Sequence, residues 1–252
     1  MHVKPFASAF AATILLIMGV GGRDVAAADI KVLASPGVRG ALTQLIPQFE
    51  RQTGNKVVLD FAVIAVLKRR IDGGEMFDVV IPSPAVIDEL IRQGKIAPDT
   101  RVPFARTGLG LAIAKGLSKP DITTVENFRR ALLNARSVAY SKEGASGTNF
   151  LQVLADLGIA EEMRPKLKAS SVDAIQRGEA EMAISGMGPA MEAPEAEYVG
   201  ALPTDLQKYV TFAAGISTGT RHPDAASALL RFLMDPAAAA VFKSKGLEQG
   251  VN

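Results

Sequence analysis

Residues 29–61 read DIKVLASPGVRGALTQLIPQFERQTGNKVVLDF, and the hydrophobic period changes twice within them. Ile30, Val32 and Leu33 form a short apolar run that stops at Ser35, Pro36 and Gly37. Val38, Leu42, Leu45, Ile46 and Phe49 then recur at helical spacing until Gly54 and Asn55, after which Val57, Val58, Leu59 and Phe61 return to strand composition. The alternation continues downstream. A helical pattern through Leu67 and Ile71 ends at Gly73 and Gly74, and the strand Val79, Val80, Ile81 breaks at Pro82, Ser83 and Pro84. A further helix carries Val86, Leu90 and Ile91 to Gly94. Three β-α units in a row predict a mostly parallel sheet with helices on its faces, because parallel strands need a crossover that a helix supplies.

The run from Arg101 to Ala114 is long and extended, with Phe104, Leu109, Leu111 and Ile113, and reads as a strand leaving this first group. A second group follows: a helix over 121–135, a strand over 137–140, a helix over 148–157, and short strands over 181–185 and 198–202, with 189–197 as a loop rich in Pro and Glu. Residues 209–216 form a second long apolar run. Two helices, 223–234 and 236–245, then open on proline, where a missing N–H costs least. The pattern predicts an α/β chain of two lobes joined by two hinge crossovers. Residues 29–105 start the first lobe, 106–209 form the second, and 210–252 return to pack on the first.

The chain begins with Lys4, an apolar stretch from Phe6 to Val20, and Ala26, Ala27 and Ala28. This layout predicts a cleavable secretory leader over residues 1–28, too short in its apolar part for a comfortable membrane span of about 20 residues. Cysteine is absent, which excludes a lipid-attachment Cys, a disulfide framework, a thiol nucleophile and a thiolate metal site. The two histidines are His2 and His222, too few for a His cluster, so no metal and no cofactor are expected. Leader removal takes Lys4, Arg23 and Asp24 from a chain of formal charge +2 and leaves it near neutral. Acids and bases are interspersed, so neither nucleic acid nor stable membrane insertion is expected of the mature chain.

In open α/β sheets, ligands sit beyond the carboxyl ends of the strands, where helix N-termini present unpaired amides. Those positions here are Ser35 and Gly37, then Val63 and Ile64, then Ser83 in the first lobe. In the second they are the stretch SKEGASGT over 141–148, with Ser141, Ser146, Gly147 and Thr148, and the turn around Met187. Hydroxyls and amides of this kind can hold an anion without a metal, although each Ser or Thr serves equally as a helix cap. Gly147 offers close backbone approach to a ligand. Two arginines are the candidate cations: Arg39, just after Ser35, and Arg106, in the first crossover, where a side chain can face the cleft. A guanidinium suits a carboxylate through its planar two-bond fork. The run Lys68, Arg69, Arg70 reads as a solvated helix face.

Val32 to Gly37 (VLASPG), Phe77 to Ser83 (FDVVIPS), Ser137 to Ser141 (SVAYS), Arg177 to Glu181 (RGEAE) and the tail around His222 to Gly246 together resemble the molybdate-binding-protein family of ABC-importer receptors. The resemblance covers essentially the whole mature chain. It implies a two-lobed periplasmic-binding-protein type II fold with two hinge crossovers. It also implies a periplasmic monomer that captures a small anion and delivers it to an ABC permease. The family's first hydroxyl matches Ser35, but its second serine, at the start of the second helix, falls at Val63 or Ile64 and is missing. An oxyanion oxygen left unpaired costs about 1–3 kcal/mol, so the expected ligand moves from molybdate toward a carboxylate. An alternative comes from aconitate isomerases, which the chain is similar to in Ala139 to Ser141 and Ala145 to Gly147. That chemistry needs a general base beside an anion pocket. Glu143 and Tyr140 are the candidate bases and Lys142 the candidate stabiliser, while His222 reads as a surface residue. The sequence contains neither a Gly-x-Ser-x-Gly elbow nor a nucleotide phosphate loop.

Overall fold

The computed structural model describes residues 27–251, so all of the expected leader except Ala27 and Ala28 lies outside the described residues. Ala28 belongs to the fold: it is buried, its N–H donates to Asn55 Oδ1 at 3.0 Å, and its carbonyl accepts from the Lys56 N–H at 2.8 Å.

The first three β-α units are β1 (Asp29–Ala34), α1 (Arg39–Thr53), β2 (Lys56–Phe61), α2 (Ile64–Asp72), β3 (Val79–Ile81) and α3 (Pro84–Arg92). β1 pairs in parallel with β2 on one side and β3 on the other. The side-chain period of two decides what each face of the sheet buries. Ile30, Val32 and Ala34 pack with Leu42, Leu45 and Phe49 of α1. Leu33 points the other way, to Leu67 and Ile71 of α2 and Ile87 and Leu90 of α3. Gly54 ends α1 in the left-handed region at φ 75°, where a Cβ would be strained.

The second group is β4 (Val102–Ala114), α4 (Val125–Asn134), β5 (Val138–Tyr140), α5 (Ala145–Asp156), α6 (Ala160–Met163), β6 (Leu167–Ala169), β7 (Met182–Gly186), α7 (Met187–Glu192) and β8 (Ala196–Ala201). It is followed by β9 (Tyr209–Ile216), α8 (Pro223–Met234), α9 (Ala239–Ser244) and β10 (Glu248–Gln249). The sheet order is β2-β1-β3-β9-β4-β7-β5-β6, with β8 and β10 also paired to β4. The helix expected over 121–135 begins later, at Val125, because Thr124 accepts from the Asn127 N–H and caps it. The loop expected over 189–197 instead contains the end of α7 and the start of β8.

β4 serves both halves of the molecule. Val102 to Gly108 pair with β9, whereas Leu109 to Ile113 pair with β7. Gln207 brackets the point of change: its Oε1 accepts from the Leu109 N–H at 2.6 Å and its Nε2 donates to the Leu109 carbonyl at 3.0 Å. The outgoing and returning chains are therefore tied together at one level. Leu229, Leu230, Leu233 and Phe242 of α8 and α9 pack in the core with β1 and α1. Phe128, Leu132, Phe150 and Leu154 of α4 and α5 pack in another, on β4, β5 and β7.

Candidate functional site

A cavity of about 450 Å³ lies between the two groups of elements. One wall comes from the β1-α1 turn, the start of α2 and β9: Ser35, Gly37, Arg39, Val63, Ile64 and Phe212 line it. The opposite wall comes from the β5-α5 turn, the β6 exit and the β7-α7 turn, with Ser141, Ser146, Ser171, Asp173, Ser185 and Glu192.

The local sequence explains why these places carry donors. Val63 precedes α2 and Gly144 precedes α5, and neither supplies a side-chain hydrogen bond to the helix start. The first amides of a helix have no intrahelical partner, so two uncapped N-termini, one from each wall, open on the same space with the positive ends of their dipoles. Ser35 is buried and caps the short turn at 36–38 with a long bond of 3.5 Å from the Gly37 N–H, which leaves the hydroxyl weakly engaged. Gly37 is needed against the protein itself, since a Cβ there would lie 2.5 Å from Cζ of Phe212.

Among the described residues lining the cavity, Arg39 is the only cation. Its Cζ lies 4.1 Å from the centroid of the Phe61 ring. Of the two acids, Glu192 pairs with Lys245 at 2.9 Å, and Asp173 accepts from the Ser171 hydroxyl at 2.9 Å. The lowered carboxyl groups near α2 belong to an ion network outside this lining. Hydrogen bonds from Arg70 and then Lys31 hold Glu75 down at about 2, and Arg70 also lowers Asp60. That network joins β1, β2 and α2 and braces the first wall.

Of the residues expected to bind a ligand, Ser35, Gly37, Arg39, Ile64, Ser141 and Ser146 line this cavity, and the five others fall outside the lining. Arg106 is the largest correction. Its neighbour Thr107 lines the cavity, and successive strand residues face opposite sides, so Arg106 points away. There it donates to Glu248 Oε2 from Nε at 2.9 Å and from an Nη at 2.6 Å. Ser83 opens α3 outside the lining, at a turn tied to β9 by the Ala213 N–H, which donates to the Pro82 carbonyl at 3.0 Å. Gly147 does allow a close approach, but to the protein; a Cβ would sit 1.9 Å from the Ser141 carbonyl oxygen. Thr148 is exposed on α5, one residue beyond it. Met187 turns toward Gly110 and Gly246, with Cγ 3.3 Å from where a Cβ on Gly110 would be.

The bases expected for proton transfer are also displaced. Tyr140 is buried against Phe150 at a centroid distance of 6.3 Å, and Lys142 and Glu143 are exposed and outside the lining. Thr107, Ser171, Asp173, Glu192 and Phe212 line the cavity without having been singled out from the sequence. Thr107 to Ile113 are all buried, so β4 lacks the alternation that would have exchanged Arg106 for Thr107.

A model of the family described as bacterial extracellular solute-binding protein matches residues 30–248. The chain belongs to that family. Among its relatives, an aconitate isomerase of a Pseudomonas species is 30% identical, with 87% of each chain covered. A molybdate-binding protein of Azotobacter vinelandii is 26% identical over 87% of this chain and 90% of its own. The solved structure of the Azotobacter vinelandii periplasmic molybdate-binding protein superimposes with a TM-score of 0.73 at 21% identity, covering 86% of this chain and 98% of that one. This solute-binding protein has the type II periplasmic-binding-protein fold that the resemblance implied.

Proposed function

We propose that this solute-binding protein captures a small carboxylate anion between its two walls, in the periplasm after leader removal, and presents the closed form to an ABC permease. The observation that carries the reading is the convergence of two uncapped helix starts, α2 and α5, with the Arg39 guanidinium on one cavity. Its volume of about 450 Å³ lies in the range of roughly 300–1,000 Å³ usual for small-molecule sites. Val63 and Ile64 give the α2 end a branched apolar wall, which suits the carbon frame of an organic acid better than a fourth oxyanion oxygen. Contact with both walls at once favours the closed arrangement, so binding shifts the population about the β4 and β9 crossovers.

A thermal-shift panel of molybdate, tungstate, sulfate, succinate, citrate and cis-aconitate tests this. A ligand at 100 times its Kd adds about 2.7 kcal/mol of stability, so carboxylates are expected to raise Tm and molybdate to leave it unchanged. A molybdate shift with no carboxylate response would sink the reading.

A second reading, isomerisation of an aconitate-like acid, is favoured by Asp173, a carboxylate lining the same cavity as Arg39. Moving a double bond requires removal of a proton next to a bound carboxylate, and Asp173 supplies a base where Glu143 and Tyr140 do not. Substoichiometric protein incubated with cis-aconitate separates the two: accumulation of the trans isomer by chromatography marks an enzyme, and its absence marks a receptor.

A further inference from the structure

Among the described residues two arginines rest on aromatic rings, and they differ in what holds their other edge. Arg106 lies with Cζ 4.6 Å from the Tyr209 centroid, and its N–H edge is taken by the carboxylate of Glu248. Arg39 lies 4.1 Å from the Phe61 centroid and lines the cavity, with no ion-pair partner among the described residues. A guanidinium carries its five donors in its own plane, so a ring against one face leaves the hydrogen-bonding edge free. Phe61 is itself fixed, half-buried at the end of β2 against the core formed with α1. The Arg106 cluster thus contains, complete, the arrangement that Arg39 and Phe61 hold without its carboxylate.

We propose that Phe61 is a positioning residue that holds the Arg39 guanidinium flat, so that a ligand carboxylate takes at Arg39 the place that Glu248 takes at Arg106. The inference rests on the carboxylate reading above and adds to it the device that orients the acid. The stack keeps a long, flexible side chain from spending its rotamer freedom when the ligand arrives, which is the advantage of a pre-set fork over a mobile charge.

Isothermal titration of cis-aconitate and citrate into the wild-type protein, Phe61→Leu, Phe61→Tyr, Arg39→Lys and the double variant Phe61→Leu/Arg39→Lys tests it. Phe61→Leu is expected to weaken binding about threefold, the scale of one partly exposed cation–π contact, and Phe61→Tyr to stay within about twofold of the wild type. Arg39→Lys keeps the charge, loses the fork and costs about tenfold. The cycle is decisive, because positioning of the planar fork requires Phe61→Leu to cost clearly less once Arg39 is Lys than it does beside Arg39. Losses that simply add, a Phe61→Leu protein that binds as the wild type does, or failure of Phe61→Tyr to restore binding would overturn the inference. Absence of binding of either acid by the wild type would take down the carboxylate reading itself, and this inference with it.

Discussion

The two walls of the cavity are built to different chemical plans. The wall from α1, α2 and β9 offers one cation, Arg39, in an otherwise largely apolar surround of Val63, Ile64, Val210 and Phe212. The wall from α5, β6 and β7 offers hydroxyls on Ser141, Ser146, Ser171 and Ser185, together with the acids Asp173 and Glu192. Glu192 is neutralised by Lys245, so the charge left on the second wall is that of Asp173. The difference gives the cavity a direction: for the carboxylate proposed above, the acid end would face Arg39 and a neutral or hydrogen-bond-donating end would face Asp173.

The second wall is the more fragile of the two, and Gly147→Ala gives the largest expected effect. An alanine in an exposed helix interior normally stabilises by up to about 1 kcal/mol relative to glycine. Here its methyl would lie 1.9 Å from the Ser141 carbonyl oxygen and 3.2 Å from the Tyr140 ring. Moving α5 away from β5 to relieve this is expected to cost about 1–3 kcal/mol, as overpacking does. It also withdraws the α5 start from the ligand. Denaturant unfolding measures the first and titration the second; a gain in stability would show that α5 is not seated as described.

A smaller effect tests the direction itself. Asp173→Asn removes the one negative charge of the second wall that no cation pairs with among the described residues. Affinity for cis-aconitate is expected to rise about threefold, the scale of one screened charge beside a wet cavity. The gain should shrink as salt is added. Under the isomerase reading, the same substitution abolishes turnover while binding persists. Unchanged affinity and unchanged turnover would leave the two walls equivalent and remove the asymmetry.

The first wall was legible in the sequence and the second only in part, for physical reasons. Ser35, Arg39 and Ile64 follow strands whose period-two pattern and apolar composition make the strand ends plain, so the helix starts fall in known places. β6 is three half-exposed or exposed residues, Leu167 to Ala169, with too little apolar content to register as a strand. The turn after it, with Ser171 and Asp173, was missed along with it. Pro189 made α7 look like a loop, yet it sits in the first turn, where an N–H would be unpaired anyway. In β4 the failure was one of phase. From Thr107 to Ile113 every residue is buried, because this stretch crosses between two cores, and a continuously apolar strand does not declare which face is which.

That failure of phase yields the smallest expected effect, and it bears on the comparison because Arg106 was the natural second cation for the cavity. Thr107 faces inward: its hydroxyl donates to the Gly246 carbonyl at 2.7 Å, and its side chain lines the cavity. Arg106 therefore faces outward, where Glu248 of β10 lies directly across the ladder from it and Tyr209 lies beneath. Both partners are substantially exposed, so the pair and the stack together are worth about 1 kcal/mol at most. Arg106→Ala is expected to lower stability by no more than that and to leave the affinity for cis-aconitate within about twofold of the wild type. Arg39→Lys, by contrast, costs about tenfold although it keeps its charge. If Arg106→Ala instead weakened binding as much as Arg39→Lys does, the anion would be sensing both arginines, and the single-cation character of the first wall would have to be abandoned.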